Sequence, residues 1–580
     1  MNINFVCVAR TEAAEHLLPT LFGAVVDDAR GIFGEAEDHQ WTDGRVAMFN
    51  ADRMNGAWRP PTWHEEQSGG GHEIFAVSQP PIPVDEDHTP ETYWPGLASV
   101  VRGGAMGRLL PNHFGIHRRS DGSVRVWADT LGVGRCYYVV TDDFVAASNH
   151  IGILTHFLDG PAEVDIEGVG RYALSGWFMR DDSPIRGIRR LREAQCIDVD
   201  PRGGVVFREH TDLTELVGAR DARPDYDEVV AQTRTIARNL DALTVKVPTL
   251  YLSGGRDSRM TASIWLSGGG SARVVTLGTL EAEAEIASEL MASLEGTFEP
   301  GQEVRHDVTV PTPGAITMPL HDRLANAFAM WDGDAAPTNA RANVRIPGRS
   351  AGLSIGGVGG EIMHGYYYHR PGDYERIAEL PHPVAYAARS FRGPLATDVA
   401  HEAMAGLFDD VYERAVGHGR PDIASLDYLY LTEKFRRWGN QALGSMSAIM
   451  LSGPAYVRAC FDLEPDEKVG KVFPDEIVRR AIPPWADIRY YKAEVADSRR
   501  GMKRKLATYD TDPDYFHDVF RNPRLWPQFL RPKGVETFLK TIESDDALPV
   551  HESWLNRGLW IDQLDRHVEG LNRRRREVRA

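Results

Sequence analysis

Tyr251-Leu-Ser-Gly-Gly-Arg-Asp-Ser-Arg259 is the stretch whose reading decides the fold. Before it, Val247-Pro-Thr-Leu-Tyr-Leu252 is apolar and β-branched, the pattern of a buried strand. After it, Met260-Thr-Ala-Ser-Ile-Trp-Leu266 continues at helical spacing. Strand, glycine turn and helix start together make an anion cradle. Gly254 and Gly255 lack a Cβ, so the backbone turns sharply and its amides stay open to phosphate oxygens. The free N–H groups of the helix start favour a polyanion. Ser253 and Ser258 add hydroxyls, Asp257 adds a hard oxygen ligand suited to Mg²⁺, and Leu252 brings the strand into the turn. No Lys follows the glycines, which excludes a Walker A loop.

A second glycine turn lies a hundred residues on, in Leu353-Ser-Ile-Gly-Gly-Val-Gly-Gly-Glu-Ile-Met-His-Gly-Tyr366. Gly357, Gly359 and Gly360 join the expected nucleotide site, and Glu361 opens the next helix. Carboxylates from two strand ends, Asp257 and Glu361, suit one Mg²⁺ bridging the phosphates of ATP. His364 and Tyr366 follow as candidates for substrate contact or proton handling.

From Asp225 the chain alternates helical and apolar-strand patterns, the signature of an α/β unit. Tyr226–Leu243 reads as the helix leading into the first loop, and Ala272-Arg-Val-Val-Thr-Leu-Gly278 as the next strand. Residues 1–215 are β-rich instead, with short alternating segments at 3–8, 124–127 and 137–140. Between Asn55 and Pro95 the Gly and Pro density predicts a long surface loop. Residues 426–450 read as one helical stretch in which Arg436 or Arg437 can bind carboxylate or phosphate. The aromatic, charged tail from Pro513 is expected to pack as helices on the second unit.

The 580 residues suit two to four domains. A net charge of −18 argues against general nucleic-acid binding, and no apolar run is long enough for a bilayer. Cys7, Cys136, Cys196 and Cys460 form no C-x-x-C pair, which points to a reducing cytoplasm.

Ser-Gly-Gly-x-Asp-Ser resembles the pyrophosphate loop of enzymes that split ATP between its α- and β-phosphates. In the first 215 residues, Asp129-Thr-Leu-Gly-Val-Gly-Arg-Cys-Tyr-Tyr138, Ala147-Ser-Asn149, Asp165-Ile-Glu-Gly-Val-Gly-Arg-Tyr-Ala-Leu-Ser-Gly176 and Ile185-Arg-Gly-Ile-Arg-Arg-Leu191 resemble, in order, the glutaminase half of asparagine synthetases. That resemblance implies an Ntn-type α+β sandwich over 1–215 and a doubly wound α/β synthetase domain over 216–580. It places adenine beside Thr276, Leu277 and Gly278. In Trp485-Ala-Asp-Ile-Arg-Tyr-Tyr-Lys-Ala-Glu494 it makes Lys492, with Arg489 beside it, the cation that stabilises adenylation, Lys503 and Lys505 being the alternatives.

Two departures redirect the function. Position 2 is Asn2 where a glutaminase has its nucleophilic Cys, and Cys7 lies inside a strand and reads as a small buried hydrophobe. Val358 stands where asparagine synthetases carry Glu and β-lactam synthetases carry Tyr, and valine moves no protons. The pairing of Leu-Ser-Gly-Gly-Arg-Asp-Ser-Arg with Gly-Val-Gly-Gly-Glu is similar to the lasso peptide cyclases. These use ATP and Mg²⁺ to adenylate an Asp or Glu side chain of a leader-free core peptide, whose own α-amine then closes a macrolactam. The resemblance implies the core peptide, a leader peptidase and a leader-recognition protein as partners. The alternatives are a β-lactam synthetase-like or asparagine synthetase-like small-molecule ligase, and a catalytically silent scaffold that presents a precursor peptide.

Overall fold

The computed structural model describes residues 2–580 apart from 35, 54–55, 69–70, 221, 311–315, 335–351, 371, 441–445, 492–507 and 545–547. It is a mixed α/β protein whose described residues form two six-stranded antiparallel sheets, one five-stranded parallel sheet and a two-stranded antiparallel pair, Ile82–Pro83 with Leu109–Leu110.

The antiparallel sheets come from the first 209 residues. One runs Arg189–Arg190, Tyr137–Val140, Phe144–Ser148, Ile3–Ala9, Val46–Asp52 and Glu37–Thr42. The other runs Val205–Glu209, Gln195–Val199, Val124–Ala128, Phe114–Arg118, Gly71–Val77 and Trp63–Ser68. Period-2 alternation decides what each face meets. On Ile3–Ala9, Val6 and Val8 join Ile74, Ala76, Ile116, Val126 and Ile197 in an apolar layer between the sheets. Ile3, Phe5, Cys7 and Ala9 face the other way, and Phe5 stacks on Phe22 of the helix Glu12–Phe33 at 6.3 Å. On the far side the helix Pro90–Arg102 brings Trp94 to Phe75 at 6.1 Å. The result is a helix–sheet–sheet–helix sandwich. Val6→Asp would set an unpaired carboxylate in its middle, a cost of several kcal/mol on the order of a buried charge.

The surface loop expected over 55–95 is a correction. Trp63–Ser68 and Gly71–Val77 pair as an antiparallel hairpin, with Trp63, Ile74 and Phe75 buried. Gly71, opposite Ser68 and with φ +130°, opens the second strand, and Pro90 begins a helix capped by the Thr89 hydroxyl.

Tyr226–Leu243 is a helix over the expected span, its Asp225 cap accepting from the Glu228 N–H at 2.9 Å. The parallel sheet then follows in the order Val304–Thr309, Ala272–Leu277, Thr249–Tyr251, Leu353–Ile355, Met446–Ala448. Its fifth strand lies where one helical stretch was expected over 426–450. The helix there is Ala424–Leu429, followed by a π-helical turn, Tyr430–Lys434, and a tighter turn, Phe435–Asn440.

The tail also differs from expectation. The helix Pro549–Arg579 packs on the first half of the chain as well as on the second. Asn572 pairs with the backbone N–H and carbonyl of Ala162 at 2.7 and 2.8 Å. Arg557 caps the carbonyls of Ala173 and Leu174 at 2.8 Å, and Arg574 meets Asp28 at 2.7 Å. The basic end is therefore a bolt across both halves, which share one continuous apolar core. Among the described residues no helix is long and apolar enough to cross a membrane.

Candidate functional site

Thr249–Tyr251 pairs with Ala272–Leu277 on one side and with Leu353–Ile355 on the other. The chain builds one sheet edge first, then returns to the starting strand and builds the other. Where the direction reverses, the connections diverge, and the carboxyl ends of the two central strands are where sheets of this kind place a binding crevice. Both glycine loops singled out in the sequence leave from those ends.

The first loop is braced from within. Ser258 Oγ accepts from the Ser253 N–H at 3.1 Å and lies 2.9 Å from Ser253 Oγ, which accepts from the Gly255 N–H at 3.1 Å. The helix Arg256–Ser267 then starts with Gly255 at its cap and no side chain bonded to its first amides. Those amides and the helix dipole are left for an anion. Leu252 is buried and holds the loop to the sheet through its N–H on the Val275 carbonyl at 3.0 Å.

The second loop fits against the first because it lacks side chains. A Cβ on Gly357 would lie 2.7 Å from the Ser258 nitrogen, and one on Gly360 2.3 Å from Asp257 Cγ. Gly359 has φ +101°, and its Cβ would strike the Leu451 carbonyl at 2.3 Å. Tyr456, fully buried, donates to the Gly359 carbonyl at 3.0 Å and pins the turn from below.

This packing seats Gly360 against Asp257, so Glu361 starts one residue from it. Glu361 Oε2 is buried and has no hydrogen-bond partner. Asp257 Oδ1 is held by His364 Nε2 at 2.6 Å, so His364 orients the carboxylate and is not free in the crevice. Lys471 reaches the His364 carbonyl at 3.3 Å, and burial, opposed by Asp257, holds its ammonium down to about 8. Two carboxylates with one orphan oxygen suit a hard divalent cation whose remaining ligands are phosphate or water. The hydrogen bond from His364 is the outer support such a ligand requires. Among the described residues no cluster of three or more His, Cys, Asp or Glu forms a site complete by itself.

The other expected residues separate. Thr276, Leu277 and Gly278 end the neighbouring strand; Thr276 Oγ1 meets His306 Nε2 at 2.9 Å, and Leu277 is exposed. Arg489 has an exposed side chain, and its carbonyl accepts from Arg259 at 2.7 Å. Arg259 and Arg256 both stack on Tyr490, so this segment is strapped to the loop helix and Tyr491 N–H reaches the Gly254 carbonyl at 2.9 Å. Lys492, Lys503 and Lys505 lie outside the described residues. Arg436 is buried and donates to the Arg180 carbonyl, which corrects its reading as a free anion-binding residue. Tyr366 is half-buried against Tyr430 and bonded to Lys434. Val358 packs against the core.

Sequence reasoning passed over Lys471 and Tyr456, and took Lys434 only as one basic residue among several in 426–450. Nothing in their local spacing marks them, since tertiary packing alone carries them to the loops.

At the other end of the chain Asn2 has every polar group partnered. Its N–H reaches the Ser78 carbonyl at 2.9 Å, its carbonyl accepts from Asn149, and its amide bonds Thr62 Oγ1 and the Arg53 N–H. Cys7 is fully buried, and burial pushes its thiol well up. Neither is placed to act as a nucleophile. The sequence matches no protein-family model and no curated protein.

Proposed function

We propose that the protein is an ATP-dependent, AMP-forming ligase that closes a macrolactam in a lasso-type core peptide. The observation that carries this reading is the interlock of the two glycine loops. It puts Gly357 and Gly360 against Ser258 and Asp257, at the uncapped helix start beyond Gly255 and past the carboxyl ends of the two central strands. On this reading residues 216–580 are a pyrophosphate-loop synthetase domain and residues 1–215 an Ntn-type sandwich without its nucleophile, working in the cytoplasm.

The chain's own residues divide the work. Ser253, Gly254, Gly255 and Ser258 hold the phosphates through amides and hydroxyls, and Gly357, Gly359 and Gly360 keep side chains out of their way. Asp257 and Glu361 hold Mg²⁺, which neutralises phosphate charge when bound. His364 keeps Asp257 turned toward the site. Adenylation gives the peptide's Asp or Glu a good leaving group, so the second step needs chiefly a positioned amine. An intramolecular amine can lower that barrier by roughly 7–11 kcal/mol through proximity alone. The absence of a nucleophile at Asn2 and Cys7 fits an amine supplied by the peptide rather than by glutamine. The small-molecule ligases, β-lactam synthetase-like or asparagine synthetase-like, lose support from Val358.

A second reading draws on the Asp257–His364 bond, which keeps one carboxylate oxygen occupied: a silent scaffold that presents a precursor peptide. One experiment separates them. The protein is incubated with ATP, MgCl₂ and synthetic linear peptides that carry a free α-amine and one Asp or Glu at successive positions. Cyclase activity gives AMP, pyrophosphate and a peptide lighter by one water. Linear peptides together with amidated free aspartate would overturn the cyclase assignment, and no AMP with any acid would favour the scaffold.

A further inference from the structure

Lys434 ends the π-helical turn Tyr430–Lys434, a wide turn of the kind that re-aims side chains at working sites. The first half of the chain fixes that turn. Trp177 Nε1 donates to the Glu433 carbonyl at 3.0 Å, and the Arg180 N–H donates to Glu433 Oε2 at 2.6 Å. Arg414, paired with Glu193 at 2.5 Å, donates to Glu433 Oε1 at 2.7 Å. With Glu433 clamped, the next side chain is carried to Tyr366. Lys434 is buried, bonds the Tyr366 hydroxyl and lies 3.6 Å from the centre of its ring, with Trp177 and Tyr430 at 5.4 and 6.0 Å. Tyr366 lies two residues past the tight turn Gly360–His364, and the Glu361 charge on that turn acts on both Tyr366 and Lys434.

Resting on the acyl-transfer reading, we infer that Tyr366 and Lys434 form the relay that takes the proton from the attacking amine. The nitrogen–carbon bond forms, the bond from the carbonyl carbon to the AMP oxygen breaks, and AMP leaves with the electron pair. The proton on nitrogen passes to the Tyr366 oxygen as the Tyr366 hydroxyl proton passes to Lys434 Nζ. The lysine must be neutral beforehand. Burial, aided by Arg437 and opposed by Glu361, holds its ammonium down to about 7. The phenols of Tyr366 and Tyr430 and the indole of Trp177 are the remaining groups around it, and burial raises both phenols. A base with proton affinity near the working pH is the efficient one.

The two half-reactions supply the test, because hydroxylamine intercepts an acyl-adenylate without needing a base. With any peptide that wild-type protein cyclises, Lys434→Met and Tyr366→Phe should each slow closure by about 10²-fold or more while hydroxamate yield stays near wild type. Lys434→Arg, which stays charged, should fail to restore closure. Equal loss of hydroxamate and closure in both variants, or unchanged closure, overturns the relay. Acetic-anhydride labelling read by mass spectrometry needs no substrate: Lys434 should half-react near pH 7, well below the exposed Lys540, and a profile matching Lys540 overturns the inference by itself. If wild-type protein releases no AMP with any peptide, the ligase reading falls and takes the relay with it, whatever the labelling shows.

Discussion

The start of the first strand and the start of the helix Arg256–Ser267 both use small polar residues, to opposite ends. Asn2, Asn4, Asn50, Thr62 and Asn149 spend most of their hydrogen bonds on one another and on nearby backbone, and all are buried. At Ser253–Ser258 the hydroxyls brace the loop, but the helix amides remain uncapped and Glu361 keeps an orphan oxygen. One polar cluster is closed around Asn2 and structural, with Asn4 Nδ2 left unpartnered at its edge. The other is unfinished, which is where a polyanion and its cation gain most, since buried polar groups without partners cost roughly 1–3 kcal/mol each. The first half of the chain supports the second, and its clamp on Glu433 carries that support to the turn ending at Lys434.

Breaking the unfinished side should have the largest effect. Glu361→Gln is expected to lower AMP release by about 10³-fold with an unchanged circular dichroism spectrum, as removal of a metal-ligating charge should. Normal turnover would remove Glu361 from the cation site. Gly360→Ala places a methyl group against Asp257 and should reduce AMP release by about 10²-fold, the scale of a misplaced catalytic group. Thermal unfolding should show that variant still folded.

Breaking the finished side should leave the chemistry alone. Asn2→Ala strands the Arg53 N–H and takes one donor from Thr62 Oγ1, which keeps its bond to Asn50, and should cost about 1–3 kcal/mol of stability while AMP release per folded molecule is unchanged. A selective loss of turnover would mean that the first strand retains chemistry. Cys7→Ala should likewise retain turnover within about 2-fold, because a buried thiol held protonated is no nucleophile.

These contrasts also show what the sequence could disclose. Strand–glycine–helix patterns are local, so the first loop and Tyr226–Leu243 were legible from spacing, whereas the second loop enters only a tight turn, Gly360–His364, where a helix start at Glu361 was expected. The fifth strand was not: Met446–Ala448 is three residues long and follows a helical stretch, so no period is long enough to register. The hairpin at Trp63–Val77 was hidden by Gly71, which opens its second strand, and by Pro90, which begins the next helix. The tail's docking on Ala162 and Asp28 joins residues some four hundred positions or more apart, beyond any local pattern. Lys434 was legible only as one basic residue among several, because its meaning lies in Tyr366, Trp177 and the clamp on Glu433.

The smallest effect expected concerns pH. Lys471 titrates near 8 in the folded chain against roughly 10.4 when unfolded, so folding releases its proton between those values. The resulting cost is fully present below pH 8 and is relieved as pH rises toward 10.4. The melting-temperature gain of Lys471→Met over wild type should therefore be largest near pH 7 and fade above pH 10. A constant difference would mean that the lysine is not held neutral by burial.

The most direct measurement follows one oxygen atom. A peptide substrate carrying oxygen-18 in its Asp or Glu side-chain carboxyl is incubated with the protein, ATP and MgCl₂, and the products are weighed by mass spectrometry. Adenylation followed by intramolecular closure predicts one heavy oxygen in AMP, unlabelled pyrophosphate, and a cyclic peptide that keeps the other. Heavy oxygen in inorganic phosphate, or cyclic peptide formed without labelled AMP, would contradict the account.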